Sequence, residues 1–424
     1  MRITLLGTGS ADGWPNPWCD CASCRWARVH APRGQTAVLV DDQLLIDCGP
    51  DVPRAAARFG VSLSGLRHLL IGHAHPDHVG PEALMWRSWS SAAREPLDVV
   101  GPPAALQVCR DFLRRWEERD PAADGSALRL VTARPGDVIR LGGRPLRRPE
   151  HPGLPEDPGY RAGYQTAGYQ TAGYEVRPVA ARHGDERIGP AVLYDVTTPD
   201  GGRLLYGCDT AAPLPEETLR ALDGRAYDVV LLEENNGDRP GFGEHLDLES
   251  FATVVAELRR RRAVVATTKV LAVHLSHRNP PGDELARRLA AIGAEAPPDG
   301  TVIDITPGRR DGGAARAETA VRTAGPYRVL FTGGSRSGKS EAAERLLLAE
   351  PEVVYVATAA PPDGSDEQWA ARIAEHRDRR PPGWTTVETV DLVPLLTTPG
   401  PPLLVDSVSL WVAARLDEPD YDDR

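Results

Sequence analysis

Lysine is almost missing from this 424-residue chain. Only Lys269 and Lys339 occur, and all the other members of its 49 basic side chains are arginine. A sequence that so rarely uses an ammonium, yet keeps one inside a glycine-rich loop, needs a compact point charge there. Positive charge is also in deficit. Sixty acidic residues against 49 basic give a formal net charge of −11, which argues against a general nucleic-acid or anionic-membrane surface. No run reaches the roughly 18 apolar residues of a membrane span. The opening MRITLLGTGSADG lacks the basic flank and cleavage site of a secretory signal, so a cytoplasmic protein is expected. Cysteine is scarce, and six residues in a chain this long do not make a disulfide framework. Three of them, Cys19, Cys21 and Cys24, are bunched, which favours a metal, while Cys48, Cys109 and Cys208 lie scattered in apolar contexts. With 41% hydrophobic and 26% charged residues the composition is that of a globular protein, and the length suggests two or three domains.

What is present is a mixed α/β pattern. Short apolar runs such as RITLLGTG, QLLIDCG, LRHLLIGH, RLLYGCD, DVVLLEEN and VLAVHLSH end in polar or charged residues, as strands buried on both faces do. PAALQVCRDFLRRWEERD and LDLESFATVVAELRRRR read as helices. Residues 307–326 are polar and rich in Gly, Ala and Arg without apolar period, and read as a linker. It divides residues 1–306 from a fresh strand–loop–helix pattern over 327–424. Between Ala162 and Val176 the pentapeptide AGYQT occurs twice and begins a third time. So short a repeat cannot build a solenoid; it is either a surface expansion or an aromatic lid beside a site.

The segment His73-Ala74-His75-Pro76-Asp77-His78 follows an apolar strand. Only a loop can turn three imidazoles and a carboxylate around one small volume, and these are ligands that suit Zn²⁺ and similar divalent ions. HxHxDH after a strand resembles the metallo-β-lactamase-fold hydrolases. That resemblance implies an αββα sandwich and three further ligands at strand ends, which His183, Asp209 and His274 match in order. It also implies one metal on His73, His75 and His183, a second on Asp77, His78 and His274, and Asp209 bridging them. Two Zn²⁺ or Mn²⁺ ions about 3.5–4 Å apart can clamp a phosphoryl or acyl oxygen. Asp47 fits a carboxylate that supports the metal loops.

Cys19, Cys21 and Cys24 offer three thiolates, and His277 is the natural fourth ligand of a structural zinc. This arrangement is similar to the phosphoribosyl cyclic phosphodiesterases of the carbon–phosphorus lyase pathway and, in part, to the pyrroloquinoline-quinone synthesis protein B group. In that resemblance His245 falls at a catalytic position close to the metals, where it would protonate a leaving oxygen or steady a phosphate. A small phosphodiester is the implied substrate.

Gly333-Gly334-Ser335-Arg336-Ser337-Gly338-Lys339-Ser340 fits G-x-x-x-x-G-K-[ST] between a strand and a helix. Backbone N–H groups would cradle the phosphates of ATP or GTP, Lys339 would reach their outer oxygens and Ser340 would hold Mg²⁺, with Asp406 at a later strand end as a second Mg²⁺ carboxylate. Together with VVYVATA, RIAEHRDRRP and LLVDSVSLW, the segment resembles the adenosylcobinamide kinase/adenosylcobinamide-phosphate guanylyltransferases of cobalamin biosynthesis. The resemblance implies guanylylation of His376 and adenosylcobinamide as phosphoryl acceptor. Arg372, Arg377 and Arg380 either steady phosphates or form a solvated helix face. Residues 327–424 correspond to about the first half of that family, so the expected P-loop (RecA-like) α/β domain is incomplete. The expected protein is a fusion of a binuclear-metal phosphodiesterase-like hydrolase with a cobinamide kinase/guanylyltransferase, with oligomerisation possible. Two rivals stand beside it: a metal-bearing idle scaffold for the kinase, and a lone hydrolase carrying an inert P-loop remnant.

Overall fold

The computed structural model describes residues 1–93, 95–117, 127–142, 173–240, 244–306, 319–323, 339–348, 352–358, 380–381, 383–397 and 400–416. The chain divides into two units, Met1–Tyr327 and Arg328–Arg424.

In the first unit, β1 (Arg2–Gly7), β2 (Ala37–Val40), β3 (Leu44–Ile46), β4 (His68–Leu70), β5 (Leu97–Gly101) and β6 (Leu128–Thr132) form most of one sheet. The second sheet holds β7 (Ile139–Leu141), β8 (Tyr174–Ala180), β9 (Val192–Thr197), β10 (Arg203–Gly207), β11 (Val229–Glu233) and β12 (Lys269–Val273) in reverse spatial order. β13 (Thr301–Ile305) returns to pair antiparallel with β1, and β14 (Thr319–Thr323) pairs antiparallel with β13.

Period-two alternation within continuous apolar strands explains the layers. In β2, Val38 and Val40 point between the sheets, while Ala37 and Leu39 face outward. In β11, Val229 and Leu231 join that same inter-sheet core, and Val230 and Leu232 face the other way. Each outward face needs cover. The helices α2 (Val52–Arg58), α3 (Pro81–Ser88) and α4 (Pro103–Glu117) follow α1 (Ala22–His30) in the chain and cover the first sheet through Val52, Leu84, Leu106 and Leu113. α5 (Glu216–Leu222), α6 (Leu248–Arg260) and α7 (Gly282–Ala291) cover the second through Leu222, Phe251, Leu258 and Leu289. The result is the expected αββα sandwich.

Strand direction positions the chemistry. β10, β11 and β12 are parallel and in register, with Gly207 beside Leu232 and Glu233 beside Val273. Their C-terminal ends therefore deliver Asp209, Glu233 and His274 side by side at one sheet edge. β3, β4 and β5 are also parallel, and β3 and β4 end in Asp47 and the His73–His78 loop.

One sequence reading needs correction. Part of the segment read as a linker, residues 319–323, is β14, an added edge strand on the first sheet. Its TAVRT sequence has the β-branched residues that suit a paired edge, a cue too short to register as an apolar period.

In the second unit, β15 (Val353–Ala357) lies between β16 (Trp384–Glu388) and β17 (Leu403–Asp406), all parallel. α8 (Lys339–Leu347) packs Ala343 and Leu347 against Val353, Tyr355 and Leu404, and α9 (Val393–Thr397) and α10 (Val408–Leu416) complete the described helices.

Candidate metal centres

The structure gathers every histidine and aspartate read as a ligand of the binuclear pair into one buried cluster. Around the first position, His73 Nε2 lies 2.8 Å from His75 Nδ1, and His183 Nε2 lies 3.3 Å from that same atom. Asp209 Oδ2 is 3.4 Å from His73 Nε2 and 3.7 Å from His183 Nε2. Around the second, His78 Nε2 is 3.0 Å from Asp77 Oδ2 and 3.4 Å from Asp209 Oδ2, while His274 Nε2 is 3.2 Å from Asp209 Oδ1 and 3.9 Å from Asp77 Oδ2. Asp209 thus lies between the two groups, with Oδ2 facing His73, His183 and His78 and Oδ1 facing His274.

These separations fit metal ligation. Metal–nitrogen bonds of about 2.0–2.1 Å place two ligand atoms of a tetrahedron about 3.4 Å apart. The electrostatics agree. Burial pushes the His73 imidazole well below its ordinary range, and burial likewise lowers His75 and His274, so all three favour the neutral form that ligates. Burial opposes the charged form of His78 as well, but Asp77, Asp47 and Asp209 overcome it and hold that group well above its ordinary range. Among the described residues, His78 Nε2 has no hydrogen-bond partner although it is buried against two carboxylates. A cation belongs at that point, either a proton or a metal.

The supporting groups come from distant strands. Asp47, fully buried, accepts from His78 Nδ1 at 2.7 Å, from the Tyr206 hydroxyl at 2.6 Å and from the Gly72 N–H at 2.8 Å. It therefore fixes the tautomer that leaves His78 Nε2 facing the site. Asp47, Asp209 and His274 all adopt left-handed backbone, with φ of 59°, 59° and 58°. Asp and His are among the side chains that visit this region most readily, and here it turns three strand ends toward one point.

His245 stands beside the cluster, with ring centroids 5.1 Å from His183 and 5.6 Å from His274. Its Nδ1 is 2.8 Å from Glu233 Oε2. Burial alone would lower His245, yet Glu233 outweighs it and pushes the imidazole up to about 9. Burial in turn raises Glu233, and His245 pulls it back. The fully buried Glu233 carboxylate and the largely buried His245 imidazole form an ion pair through Nδ1. Sequence reasoning missed Glu233 and Tyr206; the only cue to Glu233 was an apolar run ending in two carboxylates. It also placed Cys208 among the cysteines in apolar contexts. That holds for Cys48 and Cys109 in one core and for Cys208 in the inter-sheet core, where the Cys208 thiol is in addition 3.2 Å from Asp209 Oδ1.

Cys19, Cys21, Cys24 and His277 form a second group, with one ligand atom from each all within 4.8 Å of one another. His277 Nδ1 is 3.2 Å from Cys19 Sγ, and the Cys24 N–H points to Cys21 Sγ at 3.4 Å. Cys21 caps α1, and although burial opposes it, the Cys24 N–H and the neighbouring thiols lower its pKa. Three thiols and an imidazole at this spacing match a closed structural zinc site.

In the second unit, Lys339 and Ser340 open α8 and Asp406 ends β17, where it accepts from the Tyr355 hydroxyl at 2.7 Å. Gly333, Gly334, Ser335, Arg336, Ser337, Gly338 and His376 lie outside the described residues, as does the repeat before Gly173.

The family model of a β-lactamase superfamily domain matches residues 42–266, more than half of the chain. The chain belongs to the β-lactamase superfamily. Within this superfamily protein, residues 329–423 match a second family, cobinamide kinase / cobinamide phosphate guanyltransferase. The chain is therefore a fusion of the two. It is 45% identical over 94 residues to the bifunctional adenosylcobalamin biosynthesis protein CobP of Pseudomonas aeruginosa, covering 21% of this chain and 53% of that protein. Over 155 residues it is 33% identical to an octanoyltransferase of Porphyromonas gingivalis, covering 35% of this chain and 30% of the relative. A ribonuclease Z of Mycolicibacterium gilvum is 32% identical over 120 residues, 27% of this chain and 37% of the relative. The chain thus spans about half or less of the length of these curated relatives. A solved diphosphatase of the PhnP family aligns over 72% of this chain and 97% of its own, with a TM-score of 0.51 and 20% identity, a likeness of fold.

Proposed function

We propose that the superfamily unit is a metal-dependent phosphodiesterase acting on a small phosphodiester, and that the second unit phosphorylates and guanylylates adenosylcobinamide. The observation that carries the first half is the convergence of His73, His75, Asp77, His78, His183, Asp209 and His274 on one buried cleft with the His245–Glu233 pair at its side. Two divalent ions held by those seven side chains would supply Lewis-acid stabilisation of a phosphoryl oxygen and lower the pKa of water. The protein's own part is then orientation and proton transfer. Asp47 holds His78 in its ligating tautomer, and Asp209 presents its carboxylate to both groups. His245, kept protonated by Glu233, donates a proton to the departing alkoxide from Nε2, the ring atom not engaged with Glu233. The imidazolium returns when that nitrogen takes a proton from solvent. An idle scaffold has no use for a proton donor poised beside a complete ligand set, which favours the enzyme.

A small substrate is favoured over RNA. Net charge is −11, and an RNA backbone is held mainly by cationic contacts that release counterions. The test is hydrolysis of bis(p-nitrophenyl) phosphate and a ribose cyclic phosphate by chain loaded with Zn²⁺ or Mn²⁺, with precursor tRNA as a parallel substrate. Asp77→Ala should abolish turnover, and His245→Ala should slow it with metals retained. A loaded chain that cleaves no phosphodiester overturns the reading, and cleavage of precursor tRNA alone overturns the choice of substrate.

For the second unit, the match to the cobinamide kinase family and the RIAEHRDRRP segment support His376 as the nucleotide-accepting nitrogen. A two-displacement route suits histidine, which is both a good attacking group and a good leaving group. Incubation with α-labelled GTP and Mg²⁺ should leave an acid-labile, base-stable GMP adduct that His376→Ala loses. Absence of an adduct from a chain that binds GTP would overturn the assignment.

A further inference from the structure

Cys208 belongs to the inter-sheet core, yet its thiol also reaches the metal cleft, a contact that the proposed hydrolysis does not use. It ends the approach of β10 to the site and is 3% exposed. Along a strand, successive side chains face opposite ways. The left-handed backbone at Asp209, φ 59°, breaks that alternation. Cys208 and Asp209 can therefore face the same volume although they are neighbours in sequence. Cys208 Sγ lies 3.2 Å from Asp209 Oδ1. Ligand atoms of His78, Cys208, Asp209 and His274 all lie within 4.8 Å of one another, as the ligands of one ion must. A second observation points the same way. Among the described residues, the buried His78 Nε2 has no hydrogen-bond partner, and it belongs to this same group.

We propose that Cys208 is a thiolate ligand of the ion held by Asp77, His78 and His274, resting on the reading of the cleft as a binuclear metal centre. The two ions are then chemically unequal. His73, His75 and His183 offer only nitrogen beside the shared Asp209, whereas the second position adds a soft sulfur. Thiolate ligands select Zn²⁺ or Co²⁺ over Mn²⁺, which favours oxygen donors. Ligation exchanges the S–H proton for the metal and releases that proton to solvent. The sequence places this cysteine directly before the shared carboxylate, so the hydrogen bond in the metal-free state and the metal bond in the loaded state use the same sulfur with little movement.

The test counts sulfur at the metal. In the wild-type chain loaded with zinc, X-ray absorption at the zinc edge should report four sulfur ligands shared among three ions, three of them from Cys19, Cys21 and Cys24. Three sulfurs among three ions would overturn the proposal and leave Cys208 as a hydrogen-bond donor to Asp209. Cobalt titration gives an independent reading. Cys208→Ser should lose about a quarter of the thiolate-to-cobalt charge-transfer absorption, and its second site should lose preference for Zn²⁺ over Mn²⁺ by about tenfold or more. Unchanged absorption in a variant that still binds three ions would overturn it as well. The underlying reading of the cleft fails differently: total metal then stays at one ion per chain, and no sulfur is left to assign outside the cysteine cluster.

Discussion

Replacing Asp47 is the sharpest perturbation of the cleft, because it touches no expected metal ligand position yet controls one. The carboxylate accepts three buried hydrogen bonds, from His78, Tyr206 and Gly72. Asp47→Ala leaves all three donors without a partner. At about 1–3 kcal/mol for each buried unsatisfied group, with imperfect additivity, the metal-free protein should lose ~3–6 kcal/mol. Forcing alanine into the left-handed region adds ~1 kcal/mol. Asp47→Asn separates the chemistry from the strain, since asparagine tolerates that backbone. Its amide oxygen can still accept from Gly72, but the N–H₂ group then replaces the oxygen that faces both His78 and Tyr206. His78 Nδ1 must then accept, which moves the ring proton to Nε2 and blocks ligation. Zinc affinity at the second position should fall by about 10–100-fold, while metal-free stability falls by ~1–3 kcal/mol. Chelator-competition titration measures the affinity, and urea denaturation in EDTA measures the stability. The reasoning is refuted if Asp47→Asn binds zinc within twofold of wild type, or if Asp47→Ala unfolds at the wild-type urea midpoint.

Other outcomes follow from the same contacts. Cys21→Ser should lose the ion of the cysteine cluster while the histidine cleft keeps its pair, as read by elemental analysis and by a lower melting temperature. In the metal-free chain His245 should stay protonated to about pH 9, and Glu233→Gln should return its NMR titration toward the ordinary histidine range. Because the folded-state value is raised, this ion pair's stabilisation is fully present below about pH 6.5 and is lost as pH rises through about 9. Lys339→Ala should weaken triphosphate binding at least tenfold by equilibrium dialysis, since the phosphate loop then has no ammonium. Phe251→Ala, removing a fully buried ring from α6, should cost ~3–5 kcal/mol in denaturant unfolding.

The residues that sequence reading found are those whose signal is local. HxHxDH packs four candidate ligands into six positions, and the cysteine triplet is equally dense. His183, Asp209 and His274 entered through the metallo-β-lactamase-fold resemblance, which they match in order at strand ends, and parallel β10, β11 and β12 bring Asp209 and His274 to one edge. The runs buried on both faces show a mixed α/β pattern, whereas the αββα sandwich is what the family resemblance implies. What escaped was set by packing between sheets. Tyr206 meets Asp47 across 159 residues of sequence, and no spacing rule encodes that contact. Glu233 and Cys208 looked like the ends of core strands, because only the turn after each strand shows which way the last side chain points. β14 was hidden by the polar sequence around it, as an edge strand needs one paired side and little apolar burial.

If seven histidine and aspartate side chains hold two ions and the cysteine cluster a third, the stoichiometry is fixed. Metal content of the purified full chain, with and without Asp209→Ala, tests it most directly, because Asp209 alone offers an oxygen to both positions of the cleft. Three divalent ions are expected per wild-type chain and one in the folded variant, the one retained by Cys19, Cys21, Cys24 and His277. A wild-type chain holding one ion or fewer, or an Asp209→Ala chain that still holds three, would contradict it.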